Sequence, residues 1–323
     1  MFAIHTRPPW SALASNVTDE NVYWNRREVL KLLGLGSLAL PITACENRDP
    51  ADESARYAAT AVPMRAGYPA RLNERFRSAG RPLTSESLAT RYNNFYEFTV
   101  DKDEVWRNVG DFVVAPWTVE IGGLVDKPGH YSIEDLEKLV PLEERRYRFR
   151  CVEAWAMTVP WIGLPLGLLM RRLGVRSGAK YVRFVAAHRP KQMPGVRAMS
   201  HYPWPYYECL TIAEAGNELT MLGTGLYGKP LRKQSGAPIR LLVPWKYGIK
   251  NIKSIARIEF TNVRRGTFWN ALSPDEYSWH CNVDPSVPHP NWSQATERLI
   301  DDGSRVKTLP YNGYGRYVAS LYS

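Results

Sequence analysis

Residues 148–155 read Arg-Phe-Arg-Cys-Val-Glu-Ala-Trp, with a thiol, a carboxylate and an indole at alternate positions. In an extended chain alternate side chains share one side, so Cys151, Glu153 and Trp155 would face the same way. Arg148 and Arg150 favour the thiolate wherever their charges reach it. A thiolate beside a carboxylate and an aromatic wall suits a soft metal ligand or a redox nucleophile. A buried structural cysteine fits the same spacing.

Residues 238–253 read Pro-Ile-Arg-Leu-Leu-Val-Pro-Trp-Lys-Tyr-Gly-Ile-Lys-Asn-Ile-Lys. Arg240 on a strand, then Lys246, Lys250 and Lys253 around Gly248, suits a grip on a phosphate, aided by turn N–H groups. A solvated basic loop is the plainer alternative. There is no Walker A order, so a nucleoside triphosphate is not implied. Together, one soft ligand and one anion grip fit a metal cofactor that carries a phosphate.

Other chemistries lack their residues. Cys45, Cys151, Cys209 and Cys281 form no C-x-x-C pair, which leaves a zinc ribbon, a redox dithiol and a haem attachment unsupported. His130, His188, His201, His280 and His289 show no H-E-x-x-H spacing, and there is no G-x-S-x-G elbow. No nicotinamide fingerprint or iron–sulfur cysteine spacing occurs, so reducing equivalents have to come from outside the chain.

The elements that must position these residues mix strands and helices without a regular βαβ rhythm, which predicts an α+β fold. Strands are expected over 117–121, stopping at Gly122-Gly123, and over 180–187, 238–243 and 254–260. Arg146 to Trp155 reads as a strand with an exit loop. Ser132 with Asp135 opens a short helix, Leu164 to Leu173 forms another closed by Gly174, and Thr211 to Leu222 reads as helical. The chain has 323 residues, 44% of them hydrophobic, and 11 Trp and 18 Tyr, enough for a sizeable core.

Residues 21–45 combine Arg26-Arg27 with an apolar run too short to span a bilayer and small residues at its end, the pattern of a twin-arginine export leader. Ile42-Thr43-Ala44-Cys45 also resembles a lipobox, so Cys45 is either a lipidated first residue or lies beside an ordinary cleavage site. The expected organisation is a leader at 1–44, a tether and wrapping segment at 45–90 and a catalytic domain at 91–323, working in the periplasm. The formal charge is +10, and about +9 without the leader. That excess suits an anionic partner or simply a basic surface. No helix-turn-helix, zinc-finger or RNA-binding signature accompanies it, so nucleic acid is not expected.

Six blocks carry a family resemblance: RYNNFYEF (91–98), PLEERRYRFRCVEAWAMTVPWIGLPL (141–166), KQMPG (191–195), GAPIRLLVPWKYGIKNIKSI (236–255), WNALSPDEY (269–277) and NWSQATER (291–298). With them the chain resembles the catalytic subunits of periplasmic protein-methionine-sulfoxide reductases, molybdenum enzymes of the sulfite oxidase fold. The resemblance implies one Mo-molybdopterin cofactor per chain with Cys151 as the protein ligand. It implies pterin and phosphate contacts at Asn93, Tyr96, Glu97, Arg240 and the Asn251-Ile252-Lys253 segment. Two family contacts, a threonine and an asparagine, fall at Ala186 and Ser235 here, and Ala186 cannot supply a side-chain hydrogen bond. Glu153, Trp155 and Trp161 are expected to line the reaction pocket. The implied reaction is reduction of methionine sulfoxide, free or in oxidised envelope proteins, with electrons from a haem-bearing membrane subunit fed by the quinone pool. Only about sixty residues follow Phe260, so a monomeric catalytic subunit is expected. Oxidation of a small anion such as sulfite, and a cofactor-free envelope binding module, are the alternatives.

Overall fold

The structure is a computed structural model that describes residues 49–323, of which Pro50–Ser323 form one compact unit. The leader residues and Cys45 lie outside the described residues.

In chain order the first strands are β1 (Arg71–Leu72), β2 (Thr118–Gly123), β3 (Gly129–Ser132), β4 (Glu143–Arg150), β5 (Trp155–Pro165) and β6 (Tyr181–Ala186). They are followed by β7 (Tyr207–Thr211), β8 (Met221–Leu226), β9 (Lys229–Pro230), β10 (Arg240–Leu242), β11 (Ile255–Thr261), β12 (Thr296–Leu299) and β13 (Arg305–Lys307). One sheet runs β1-β4-β5-β12-β13, with β8 joining β5 and carrying β9 and β10; the other runs β3-β2-β11-β6-β7. Both parallel and antiparallel pairs occur, among short helices, which is the α+β architecture that the sequence predicts.

The burial of each strand follows its place. β6 alternates buried and half-buried residues, as expected where one face meets the core. β5 is buried from Trp155 through Leu164, the mark of a central strand covered on both faces. It pairs β4 along its length, β12 at Trp155-Ala156 and β8 from Trp161 onward. Pro160, which has no N–H to give, falls between the β12 and β8 stretches, where the second ladder has a gap.

Two helix ends were legible, although the helix expected from Leu164 begins at Leu166 because Leu164 and Pro165 still belong to β5. Ser132 and Asp135 form a reciprocal capping box at Ile133–Leu139. Leu166–Leu173 ends at Gly174 with φ 71°, the left-handed cap that glycine adopts without strain. The helix expected over 211–222 is a correction. Thr211 and Glu214 cap it, but only Ile212–Gly216 is helical, and the chain re-enters the sheet as β8. All six β8 residues, two of them glycines, are buried between neighbours, so burial in a ladder overrides local helix propensity.

Residues 50–90 pack against the rest of the unit. Tyr57 meets the edge of Trp106 at 5.8 Å and its hydroxyl lies 2.5 Å from that of Thr90. Phe76 and Ala89 join the core, and the Thr84 hydroxyl donates to Asp301.

Candidate active site

β4 and β5 are adjacent antiparallel strands, and the link between them is the turn Cys151–Ala154. Cys151 donates its backbone N–H to Trp155 O at 2.9 Å, Ala154 donates to Cys151 O, and Ala154 sits at φ 63°. The extended geometry expected from alternation is therefore corrected: a tight turn, not a strand face, brings Cys151, Glu153 and Trp155 to one cavity. The turn is braced from distant sequence. Trp292 Nε1 and Gln294 Nε2 both donate to Val152 O, at 2.8 and 2.7 Å.

Within the cavity Cys151 Sγ receives the Glu153 backbone N–H at 3.4 Å and lies 3.7 Å from Asn94 Oδ1. Asn94 Oδ1 accepts from Trp155 Nε1 at 3.2 Å, while Asn94 Nδ2 donates to Glu153 Oε1 at 3.1 Å. The Tyr96 hydroxyl donates to the same carboxylate oxygen at 3.4 Å, and Lys102 Nζ lies 2.7 Å from Glu153 Oε2. Burial disfavours the charged ammonium, but the Glu153 carboxylate outweighs this and raises the Lys102 pKa. Tyr96, Trp269 and Tyr277 form a wall, with ring centroids 5.1 and 5.3 Å apart in edge and tilted contacts.

The expected promotion of the thiolate is overturned. Burial, then the Glu153 carboxylate, pushes the Cys151 thiol up to about 12, against weaker help from Lys102 and Arg150. Arg150 is itself fully buried and turned away to Glu297 Oε2 (3.0 Å) and Gln294 Oε1 (2.7 Å). Arg148 donates to Ala79 O. A thiol of this kind is a poor free nucleophile, and metal coordination is what would displace its proton.

The basic segment divides. Lys246 is an ion-pair partner of Glu214 at 2.6 Å, and Lys250 of Glu208 at 2.6 Å, all four side chains essentially without solvent contact. These two lysines are structural, which corrects the expected three-lysine grip. Arg240 and Lys253 do reach the cavity, with Ser235, Asn93 and Glu97. Arg240 donates Nη1 to Ser235 O at 2.9 Å and stacks over Trp161 at 4.9 Å, while its Nε has no partner among the described residues. Burial lowers the Arg240 pKa, and burial followed by Arg240 lowers that of Lys253. Burial raises Glu97, opposed by Lys253.

Three expected cofactor contacts do not line the cavity. Asn251 spends its side chain holding the turn, accepting from Val243 N at 2.7 Å and donating to Tyr247 O. Ile252 is buried and its carbonyl accepts from Leu241 N. Ala186 lies on β6, where its N–H bonds Tyr206 O, and Tyr206 reaches the cavity in its place. Sequence reasoning missed Asn94, Lys102, Tyr206, Trp269 and Tyr277. Asn94 and the Trp269/Tyr277 pair stand inside two of the blocks that carry the resemblance, the available signal. Lys102 follows the first block without pattern. Gly195, in KQMPG, sits where a Cβ would lie 2.0 Å from Tyr96 O, so only glycine lets that segment press the 93–97 stretch into position.

The residues fit a large polar cofactor with a soft metal. Both polar atoms of the Asn93 amide, Ser235 Oγ and Arg240 Nε are buried without a hydrogen bond among the described residues. Buried polar atoms are seldom left so, because each costs about 1–3 kcal/mol. All belong to residues that line the cavity holding the Cys151 sulfur.

With this geometry in place the class is defined: residues 108–269 match the oxidoreductase molybdopterin binding domain, and the cofactor is molybdenum-molybdopterin. The chain is 46% identical over 316 residues, 96% of its length and 94% of the relative's, to the protein-methionine-sulfoxide reductase catalytic subunit MsrP of Xanthomonas axonopodis pv. citri (strain 306). The protein of the same name from Xanthomonas campestris pv. campestris gives the same identity and coverage. The chain belongs to this family of molybdenum oxidoreductases. Among solved structures, the sulfane dehydrogenase SoxCD of Paracoccus pantotrophus aligns at 18% identity and a TM-score of 0.43, over 84% of this chain and 62% of that one.

Proposed function

We propose that this protein reduces methionine sulfoxide, free and in proteins, to methionine, taking two electrons and two protons per sulfoxide and releasing the oxygen as water. The observation that carries the reading beyond family membership is the make-up of the cavity around Cys151. On one side stand Arg240 and Lys253 with the partnerless Asn93 and Ser235, suited to the pterin and its phosphate. On the other stand Tyr96, Trp269 and Tyr277 with the Glu153 carboxylate. Such a wall suits a neutral thioether-like side chain, since sulfur packs well against aromatic rings. A sulfite dianion would need a free cation on that side, and the nearby Lys102 is taken by Glu153.

The bound molybdenum centre supplies two-electron oxygen-transfer chemistry. The chain contributes the Cys151 sulfur as ligand, the Asn94–Glu153–Lys102 array that fixes the cysteine turn, and rings that exclude water.

The partner and the compartment belong to the same proposal. Cys151, Cys209 and Cys281 are all buried and free, which supports reduction at the metal by an outside donor rather than at a protein dithiol. The proposed donor is a haem-bearing membrane subunit drawing on quinol, and the twin-arginine pattern supports export to the periplasm beside it. The test joins these claims. Membranes containing that haem protein, given quinol, should drive sulfoxide reduction by wild-type protein holding one molybdenum per chain. Cys151→Ala should abolish turnover. Active alanine variants, sulfite oxidation in place of sulfoxide reduction, or equal quinol-driven rates without the haem protein would overturn the corresponding part.

A further inference from the structure

A second concavity lies beside the cavity and shares no lining residue with it. It is lined by Asp275, Glu276, Val287, Pro288, His289 and Trp292, with two further prolines and two serines of the same loops at its edge. Tyr277 is the partition. Its ring forms part of the cavity wall, and its flanking residues Glu276 and Ser278 line the groove. The Tyr277 ring lies 5.4 Å from that of His289, and both Glu153 on one side and Glu276 on the other raise the Tyr277 pKa after burial has done so. The cavity and the groove therefore meet across the contact between the Tyr277 and His289 rings.

The groove has a preformed surface. His289 stacks flat on Trp292, centroids 3.6 Å apart and planes 7° from parallel, and Trp292 is anchored by its bond to Val152 O. Val287, flanked by Pro288, is 61% exposed, one of the most exposed large apolar side chains in the described residues. Prolines limit the backbone freedom that binding would otherwise remove. Charge gives the direction. In a chain of net charge +10 the groove is lined by Asp275 and Glu276 and by no lysine or arginine.

We propose that this groove is the docking site for the polypeptide on either side of a methionine sulfoxide, and that it prefers basic or apolar flanking residues to acidic ones. This rests on the reductase reading and adds where a protein substrate is gripped. A sulfoxide side chain inserted beside Tyr277 leaves its own backbone outside, next to Glu276 and Ser278. Flanking lysines would then meet Asp275 and Glu276, and an apolar neighbour would meet Val287 and Trp292. Free methionine sulfoxide, having no flanks, makes none of these contacts.

The test uses holoenzyme and two fluorescent peptides with one central methionine sulfoxide, flanked by lysines or by glutamates. Binding is read by anisotropy at low salt and turnover by KM and kcat. The wild-type protein should bind the lysine peptide about fivefold more tightly, as two rim charges of up to about 0.5 kcal/mol each imply. Asp275→Lys should reverse the preference, Asp275→Asn should narrow it, and KM for free methionine sulfoxide should stay unchanged in both. Equal binding of the two peptides by wild type overturns the groove. So does a variant that alters quinol-driven reduction of free methionine sulfoxide while leaving peptide preference intact, which would assign the face to the electron donor. Peptide preference without any sulfoxide turnover overturns the reductase reading and leaves the docking site standing.

Discussion

Two groups of buried cations lie within fourteen residues of each other, and the protein treats them in opposite ways. Lys246 and Lys250 each face a buried carboxylate at 2.6 Å, and Lys246 also bonds His280 O and Asn282 Oδ1. Glu214 in turn collects the Tyr322 hydroxyl and His280. The equally buried Arg240 and the half-buried Lys253 share the cavity with Glu97, the other carboxylate there, Glu153, being taken by Lys102, and Arg240 Nε has no partner among the described residues. A fully paired buried charge is part of the scaffold. An incompletely paired one is an unfavourable arrangement that a bound anion relieves.

The comparison breaks most visibly by removing half of a scaffold pair. Lys250→Met strands Glu208 in the interior and should cost about 3–5 kcal/mol in urea unfolding of the cofactor-free protein. A loss under about 1 kcal/mol would show that the pair is not structural. Arg240→Met should act with the opposite sign. Without cofactor it should leave stability unchanged or raise it by about 1–2 kcal/mol, since a costly buried charge is gone. Molybdenum and pterin retained through purification should meanwhile fall sharply. The smallest effect belongs to Ser235→Ala, which removes one partnerless hydroxyl. Cofactor-free stability should move by less than about 1 kcal/mol, and cofactor affinity should fall by a factor of about five, the worth of one hydrogen bond. Competition for molybdopterin between variant and wild type would measure it.

What the sequence made legible was local. Gly174 and the Ser132–Asp135 pair act on neighbours three or four residues away, so helix ends could be placed. Cys151, Glu153 and Arg240 were identifiable because thiols are few, four in the chain, and the blocks that hold all three residues are distinctive. The partners of charged residues were not legible. Glu214 and Glu208 stand 32 and 42 residues from the lysines they neutralise, and nothing at residues 246–253 says which lysine is taken. The cysteine turn failed for a related reason: alternation shows which side chains agree on a face, while a reversal between two strands satisfies the same list. Asn251 and Ile252 sit in the right block but support it from behind.

The brace beneath the cysteine has a bearing on when this centre can be built. Val152 O is held by Trp292, 140 residues further along, and Arg150 by Glu297, 147 further along. During translation the ligand-bearing turn is thus made long before the side chains that hold it. Until the ribosome has delivered residues 292–297, the loop that carries the sulfur lacks those supports. Order of synthesis alone sets the metal-binding turn to mature late, so a nascent chain offers its thiol on an unsecured loop and a finished one offers it on a braced turn.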